Sequence, residues 1–146
     1  MGAAVSMGLG VALAAPDEEV AVITGDGELM MNVGALATVA SMLPRNLSIV
    51  CVDNGCHGET GGQLGHTSRR TNLAMMAEGA GIPSTLKVDA DEQLDEAAKF
   101  FIVAPAPRFL WVRVMRGLPT DYKRNWDLAE CRLKFRNAYL ERKNQS

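Results

Sequence analysis

The chain has 146 residues, 47% of them hydrophobic, a size that supports one domain around one core and leaves no room for a second. Seventeen acidic against fifteen basic residues give a net charge of -2, which excludes the field expected of a protein that binds nucleic acid or an anionic membrane. Cys51, Cys56 and Cys131 are an odd number at spacings that match no zinc pattern, so a reducing, cytoplasmic setting is expected.

Residues 1–15 are apolar and rich in small side chains, but they lack a basic start and are too short to span a bilayer. They read as a buried helix. Pro16-Asp17-Glu18-Glu19 turns the chain into a β-branched strand over residues 20–24. Residues 28–42 predict one helix, with Leu29, Met30, Val33, Leu36, Ala37 and Ala40 near a 3.6-residue period, ended by Leu43-Pro44-Arg45-Asn46. Residues 47–52 form a second apolar strand with Cys51 as a core thiol. Residues 53–70 are polar and glycine-rich without period, a loop length that is usually functional or mobile.

Asn72 predicts the cap of a helix reaching residue 80, stopped by Gly79, Gly81 and Pro83. A short strand follows at residues 84–88. Asp91-Glu92 opens a helix whose apolar face is Leu94, Ala97, Ala98 and Phe101, and residues 109–114 form the last strand. Strands alternating with helices at this spacing give an α/β domain over residues 1–116, a parallel sheet covered by helices on both faces. Residues 117–146 form a C-terminal helical extension. Its seven basic residues (Lys123, Arg124, Arg132, Lys134, Arg136, Arg142, Lys143) outweigh four acidic ones (Asp121, Asp127, Glu130, Glu141), a net +3. Trp126, Ala129, Leu133 and Leu140 recur at helical spacing, predicting an amphipathic helix.

In open parallel sheets, ligands bind outside the carboxyl ends of the strands. Gly25-Asp26-Gly27 follows the first strand and Asn54-Gly55 the second, which puts a carboxylate and a carboxamide at two such ends. A helix starting after Gly27 offers free N–H groups to a diphosphate, and the Asp26 carboxylate tolerates that diphosphate only if a cation lies between them. Magnesium suits an oxygen site of Asp26, Asn54 and a backbone carbonyl near Cys56. Singly, Asp26 reads as an ordinary helix N-terminal acid and Asn54 as a turn former; the pair points to a metal-diphosphate cradle.

Gly25-Asp26-Gly27, then twenty-six residues, then Asn54 resembles the thiamine diphosphate signature of the thiamine-dependent decarboxylase and acetolactate synthase superfamily. The wider pattern of Met1-Gly2 before a small-residue helix, the run from Gly27 to Thr38, and Asn54-Gly55 leading to Thr60-Gly61-Gly62-Gln63 resembles its phosphonopyruvate and sulfopyruvate decarboxylase branch. The resemblance covers about residues 1–115 and implies a diphosphate-binding domain without its first strand and helix.

It implies that Asp26, Asn54 and the Cys56 carbonyl hold Mg2+. Gly25, Gly27, Glu28 and His57 would lie at the cofactor, Gly27 and Glu28 through backbone N–H groups, and Met1 would wedge it into its bent shape. The family commonly has a small hydroxyl residue at the position of Glu28, so its ionised side chain is expected to point away. His57 and Glu59 are the candidates for proton transfer or carboxylate orientation, and His66, Arg69 and Arg70 form either an anion-recognising group or a surface cluster. The resemblance further implies a small 2-oxo acid substrate and a partner subunit whose pyrimidine-binding domain supplies the activating glutamate, in a hetero-oligomer of dimeric pairs. Open alternatives are an acetolactate-synthase-like carboligase and a non-catalytic module retaining the fold. A Rossmann dehydrogenase is disfavoured because Gly8-Leu9-Gly10 precedes any clear strand and no full GxGxxG occurs.

Overall fold

The computed structural model describes residues 1–117 and 125–143. Contacts divide the chain into two units, Met1–Arg116 and Gly117–Ser146. The first contains helices α1 (Ala4–Ala14), α2 (Asp26–Met30), α3 (Ala35–Met42), α4 (Leu73–Ala80) and α5 (Leu94–Val103). Its strands are β1 (Val20–Gly25), β2 (Leu47–Asp53), β3 (Cys56–His57), β4 (Gln63–Leu64), β5 (Ser84–Val88) and β6 (Arg108–Arg113). Four of them make one parallel sheet in the order β1-β2-β6-β5, with Val20 opposite Leu47, Ile49 opposite Phe109 and Leu86 opposite Leu110.

The apolar runs of β2 and β6 follow from burial on both faces. Ile49, Cys51, Phe109 and Trp111 face the larger core with Val5, Leu9, Leu36, Val39 and Leu73, while Leu110 and Val88 pack with Ala97 of α5. Helices thus cover both faces, but the second only over β5 and β6: Ile23 on β1 is 74% exposed. The α1 helix is buried on one side rather than all round, through Val5, Gly8, Leu9 and Ala12, while Met7 and Leu13 are exposed. Gly8 permits its close approach to the sheet, since a Cβ there would lie 2.1 Å from Val22 Cγ2. Buried Asn46 then satisfies the end of α1, its Nδ2 donating toward the carbonyls of Ala12, Ala15 and Glu18.

Two predicted elements change. The single helix over residues 28–42 is broken between α2 and α3. Backbone bonds there tighten to an i→i+3 pattern (Ala35 N to Asn32 O, Leu36 N to Val33 O), and the Asn32 carboxamide leaves the helix to donate to Gly2 O at 3.0 Å. The loop at residues 53–70 is not wholly irregular. Cys56 pairs with Leu64 and His57 with Gln63 as an antiparallel hairpin, with a 3-10 turn at Gly58–Thr60 between them. In α5, Ala97 is the buried residue and Phe100 and Phe101 pack beside it, while Leu94 and Ala98, expected on the apolar face, are exposed. The predicted Asn72 cap forms, its Oδ1 accepting Met75 N at 3.0 Å.

In the second unit, α6 (Leu128–Lys143) carries Leu133 and Leu140 exposed alongside Lys134, which pairs with Glu130 at 2.7 Å. Asp121, Lys123 and Arg124 of the basic tail lie outside the described residues. Among the described residues no helix is long and apolar enough to cross a membrane.

Candidate functional site

Strands β1 and β2 are adjacent and parallel, with Gly25 opposite Val52, so Asp26 and Asn54 emerge side by side at the carboxyl edge of the sheet. Asp26 is 4% exposed. Burial first, then the neighbouring Asp53 carboxylate, raises its pKa above the ordinary value, against the opposing hydrogen bond from Thr67. Thr67 Oγ1 lies 3.3 Å from Asp26 Oδ2 and 2.8 Å from Asp53 Oδ1, so one hydroxyl stands between two buried carboxylates. Among the described residues neither carboxylate has a basic ion-pair partner.

Asn54 Oδ1 accepts the Cys56 N–H at 3.1 Å, an Asx turn that holds the carboxamide above the turn and leaves its carbonyl a second lone pair. Gly55 makes that turn at φ +67°, and its carbonyl accepts from Gly65 N at 2.8 Å, Arg116 at 3.3 Å and Ser68 Oγ. The hairpin is thereby folded back over Asp26. No three His, Cys, Asp or Glu side chains converge among the described residues. Asp26 brings a carboxylate and Asn54 a carboxamide to this edge, oxygen groups of a kind suited to a hard cation rather than zinc.

The hairpin brings His57 to the start of α2: a Cβ on Gly27 would lie 2.8 Å from His57 Nδ1. Glu59 is on the exposed 3-10 turn, and His66, Arg69 and Arg70 are exposed. Met1 is 75% exposed, beside the same end of the sheet through the Gly2 contacts with Met31 and Asn32. The Cys51 thiol is raised by burial and by the carboxylates of Asp53, Asp26 and Glu28, which leaves it inert as a nucleophile.

The Glu28 side chain reaches from α2 to the start of α1, a destination not legible in the sequence. Its carboxylate accepts from Ala4 N at 3.1 Å and from the Thr24 hydroxyl. It therefore caps α1, whose own N-cap residue Ala3 offers no side-chain acceptor. Burial alone would raise its pKa, but the bonds from Thr24 and from the Ala4, Gly2 and Ala3 N–H groups hold it below the ordinary value. Glu28→Ala is expected to cost about 1 kcal/mol of stability at neutral pH by urea titration, a typical value for losing a cap. Because the folded-state pKa is depressed, the wild-type advantage is present above the unfolded pKa and fades as pH falls through the folded one.

Residues 1–112 match the family described as "Thiamine pyrophosphate enzyme, C-terminal TPP binding domain". The chain is 38% identical over 137 residues to the sulfopyruvate decarboxylase subunit beta of Methanocaldococcus jannaschii, covering 93% of this chain and 70% of that one. It is 52% identical over 117 residues to the phosphonopyruvate decarboxylase of Streptomyces hygroscopicus, covering 80% of this chain but 29% of the relative. The thiamine diphosphate-dependent 4-hydroxybenzoylformate decarboxylase of Rhodococcus jostii superposes with a TM-score of 0.68 at 24% identity, over 80% of this chain and 24% of that one, a likeness of fold. With a match over most of its length, the chain belongs to the family of C-terminal TPP-binding domains of thiamine pyrophosphate enzymes.

Proposed function

We propose that the chain is the thiamine diphosphate- and Mg2+-binding subunit of a cytoplasmic 2-oxo acid decarboxylase of the phosphonopyruvate or sulfopyruvate type. A partner subunit with a pyrimidine-binding domain completes the active site in a hetero-oligomer. The observation that carries this reading is the buried Asp26 carboxylate beside Asn54 at the ends of adjacent parallel strands, with no basic partner among the described residues. A site that gathers Asp26 and Asp53 around one hydroxyl needs positive charge, and its oxygen donors suit Mg2+.

In this reading the Asp26 carboxylate, the Asn54 carbonyl oxygen and the Cys56 carbonyl hold the cation. Gly25 lets the diphosphate approach the backbone, and Gly27 and Glu28 offer it N–H groups at the start of α2. Glu28 serves there through its backbone only, since its carboxylate is engaged with α1. His57, packed on Gly27, would hold or move a proton beside the cofactor, a reading supported by its nearness to the start of α2; Glu59 is carried by the same hairpin. Met1 would pack against the cofactor. When bound, thiamine diphosphate would supply the electron sink for loss of carbon dioxide from a 2-oxo acid. The glutamate that activates it belongs to the partner.

Reconstitution tests this. The chain mixed with a pyrimidine-domain subunit, thiamine diphosphate and Mg2+ is expected to release carbon dioxide from sulfopyruvate or phosphonopyruvate and to yield the aldehyde. A carboligated product from pyruvate and an aldehyde acceptor would assign a carboligase instead, and an assembled complex without turnover would leave a non-catalytic module.

A further inference from the structure

Asp53 ends β2 one residue before Asn54 and is 2% exposed. Burying a carboxylate is costly unless charge-assisted hydrogen bonds replace water, and here three do. Oδ1 accepts Gly55 N at 2.7 Å and Thr67 Oγ1 at 2.8 Å; Oδ2 accepts the Trp111 indole N–H at 2.8 Å. Three of its lone-pair positions are thereby taken up by the protein itself.

The three donors come from three segments. Gly55 lies in the turn that carries Asn54 and Cys56, Thr67 lies on the return limb beyond the hairpin and also reaches Asp26, and Trp111 is fixed in β6. The indole is itself held: Lys87 Nζ is 5.0 Å and Arg113 Cζ 5.8 Å from its ring centroid, and both cations pair with Asp89. A rigid strand residue thus anchors the carboxylate, and the carboxylate anchors both sides of the turn. Hydrogen-bonding partners of this kind, one layer behind the ligands, commonly govern metal affinity.

We infer that Asp53 is the positioning residue of this turn, setting where Asn54 and the Cys56 carbonyl stand relative to Asp26 through Gly55, Thr67 and Trp111, and that Trp111 reports on cation binding there. The inference rests on the magnesium-diphosphate reading of the site. Its consequences differ from those of a merely structural carboxylate, because the Thr67 hydroxyl links it to a proposed ligand.

The test uses the full chain carrying Trp126→Phe, which leaves Trp111 as its single indole. Mg2+ is titrated in the presence of thiamine diphosphate while indole emission is followed, with calorimetry as a second readout. The parent chain should give a saturable emission change. Asp53→Asn should weaken apparent Mg2+ affinity roughly 10- to 100-fold, a common cost of disturbing a ligand's supporting shell. Thr67→Val should weaken it about 10-fold, and Thr67→Ser, which keeps the hydroxyl, should restore it to within about threefold. The Thr67 pair decides the matter even if Asp53→Asn folds poorly. Unchanged affinity in Thr67→Val, or equal loss in Thr67→Val and Thr67→Ser, overturns the inference while Asp26→Asn still abolishes binding. No magnesium-dependent binding by the parent chain overturns the site reading beneath it as well.

Discussion

Asp26→Asn is expected to lower thiamine diphosphate affinity in Mg2+ by at least ~100-fold, which at about 1.4 kcal/mol per decade is a loss of about 2.8 kcal/mol or more. The same substitution should leave the cofactor-free protein as stable as wild type or more so. Asp26 is buried, faces the Asp53 carboxylate across one hydroxyl, and has no basic partner among the described residues. Without a cation its charge opposes folding, which is the sense of its raised pKa. A neutral isostere removes that repulsion and can keep the Thr67 contact. The sign follows from linkage: a carboxylate with a raised folded-state pKa destabilises the fold above that pKa, and the penalty vanishes as pH falls below the unfolded value. Calorimetric titration and a urea curve on the same sample check both halves. Lost binding with reduced stability would point to a structural acid; lost binding with retained or increased stability marks a ligand held in place at a cost.

The ends of β1 and β2 were legible because each strand is written as an apolar run, and the polar residue after each run marks the edge where ligands gather. The supporting shell was not. Asp53 reads as the first residue of a polar loop, and its partners Thr67 and Trp111 lie 14 and 58 residues away, beyond any local period. The destination of Glu28 depends on where α1 crosses α2, a tertiary fact 24 residues removed from Ala4. The break between α2 and α3 was hidden for a different reason. Leu29 and Leu36 keep their burial across it, so the helical period continues while Asn32 spends its carboxamide on Gly2. Likewise, two-residue strands such as Cys56–His57 carry no period at all, and a glycine-rich composition describes the hairpin without giving its pairing.

Gly65→Ala is the second large effect. Gly65 does not have a positive φ, so alanine meets no backbone strain of its own; the conflict is with neighbours. An added Cβ would stand 2.9 Å from Asp26 Oδ2 and 3.2 Å from both the carbonyl carbon and oxygen of Gly55. The Gly55 side is backbone fixed by the Gly65 N–H at 2.8 Å and by Asp53 at 2.7 Å, so it yields poorly, and either the Asp26 carboxylate or the whole return limb with Thr67 must move. Either movement separates groups that the cation is proposed to join. Affinity for thiamine diphosphate in Mg2+ should fall roughly 10- to 100-fold, in the range expected for displacing a ligand's supporting shell. Melting should shift by only a few degrees, because the clash lies at the sheet edge outside the cores. Gly62→Ala is the matched control on the same hairpin. Its φ of +75° imposes a local backbone cost of about 1–2 kcal/mol, yet nothing lies within 4 Å of the new Cβ, so affinity should remain near wild type. Equal losses in the two variants would mean that hairpin flexibility governs binding; a loss confined to Gly65→Ala places the cause in its contact with Asp26 and Gly55.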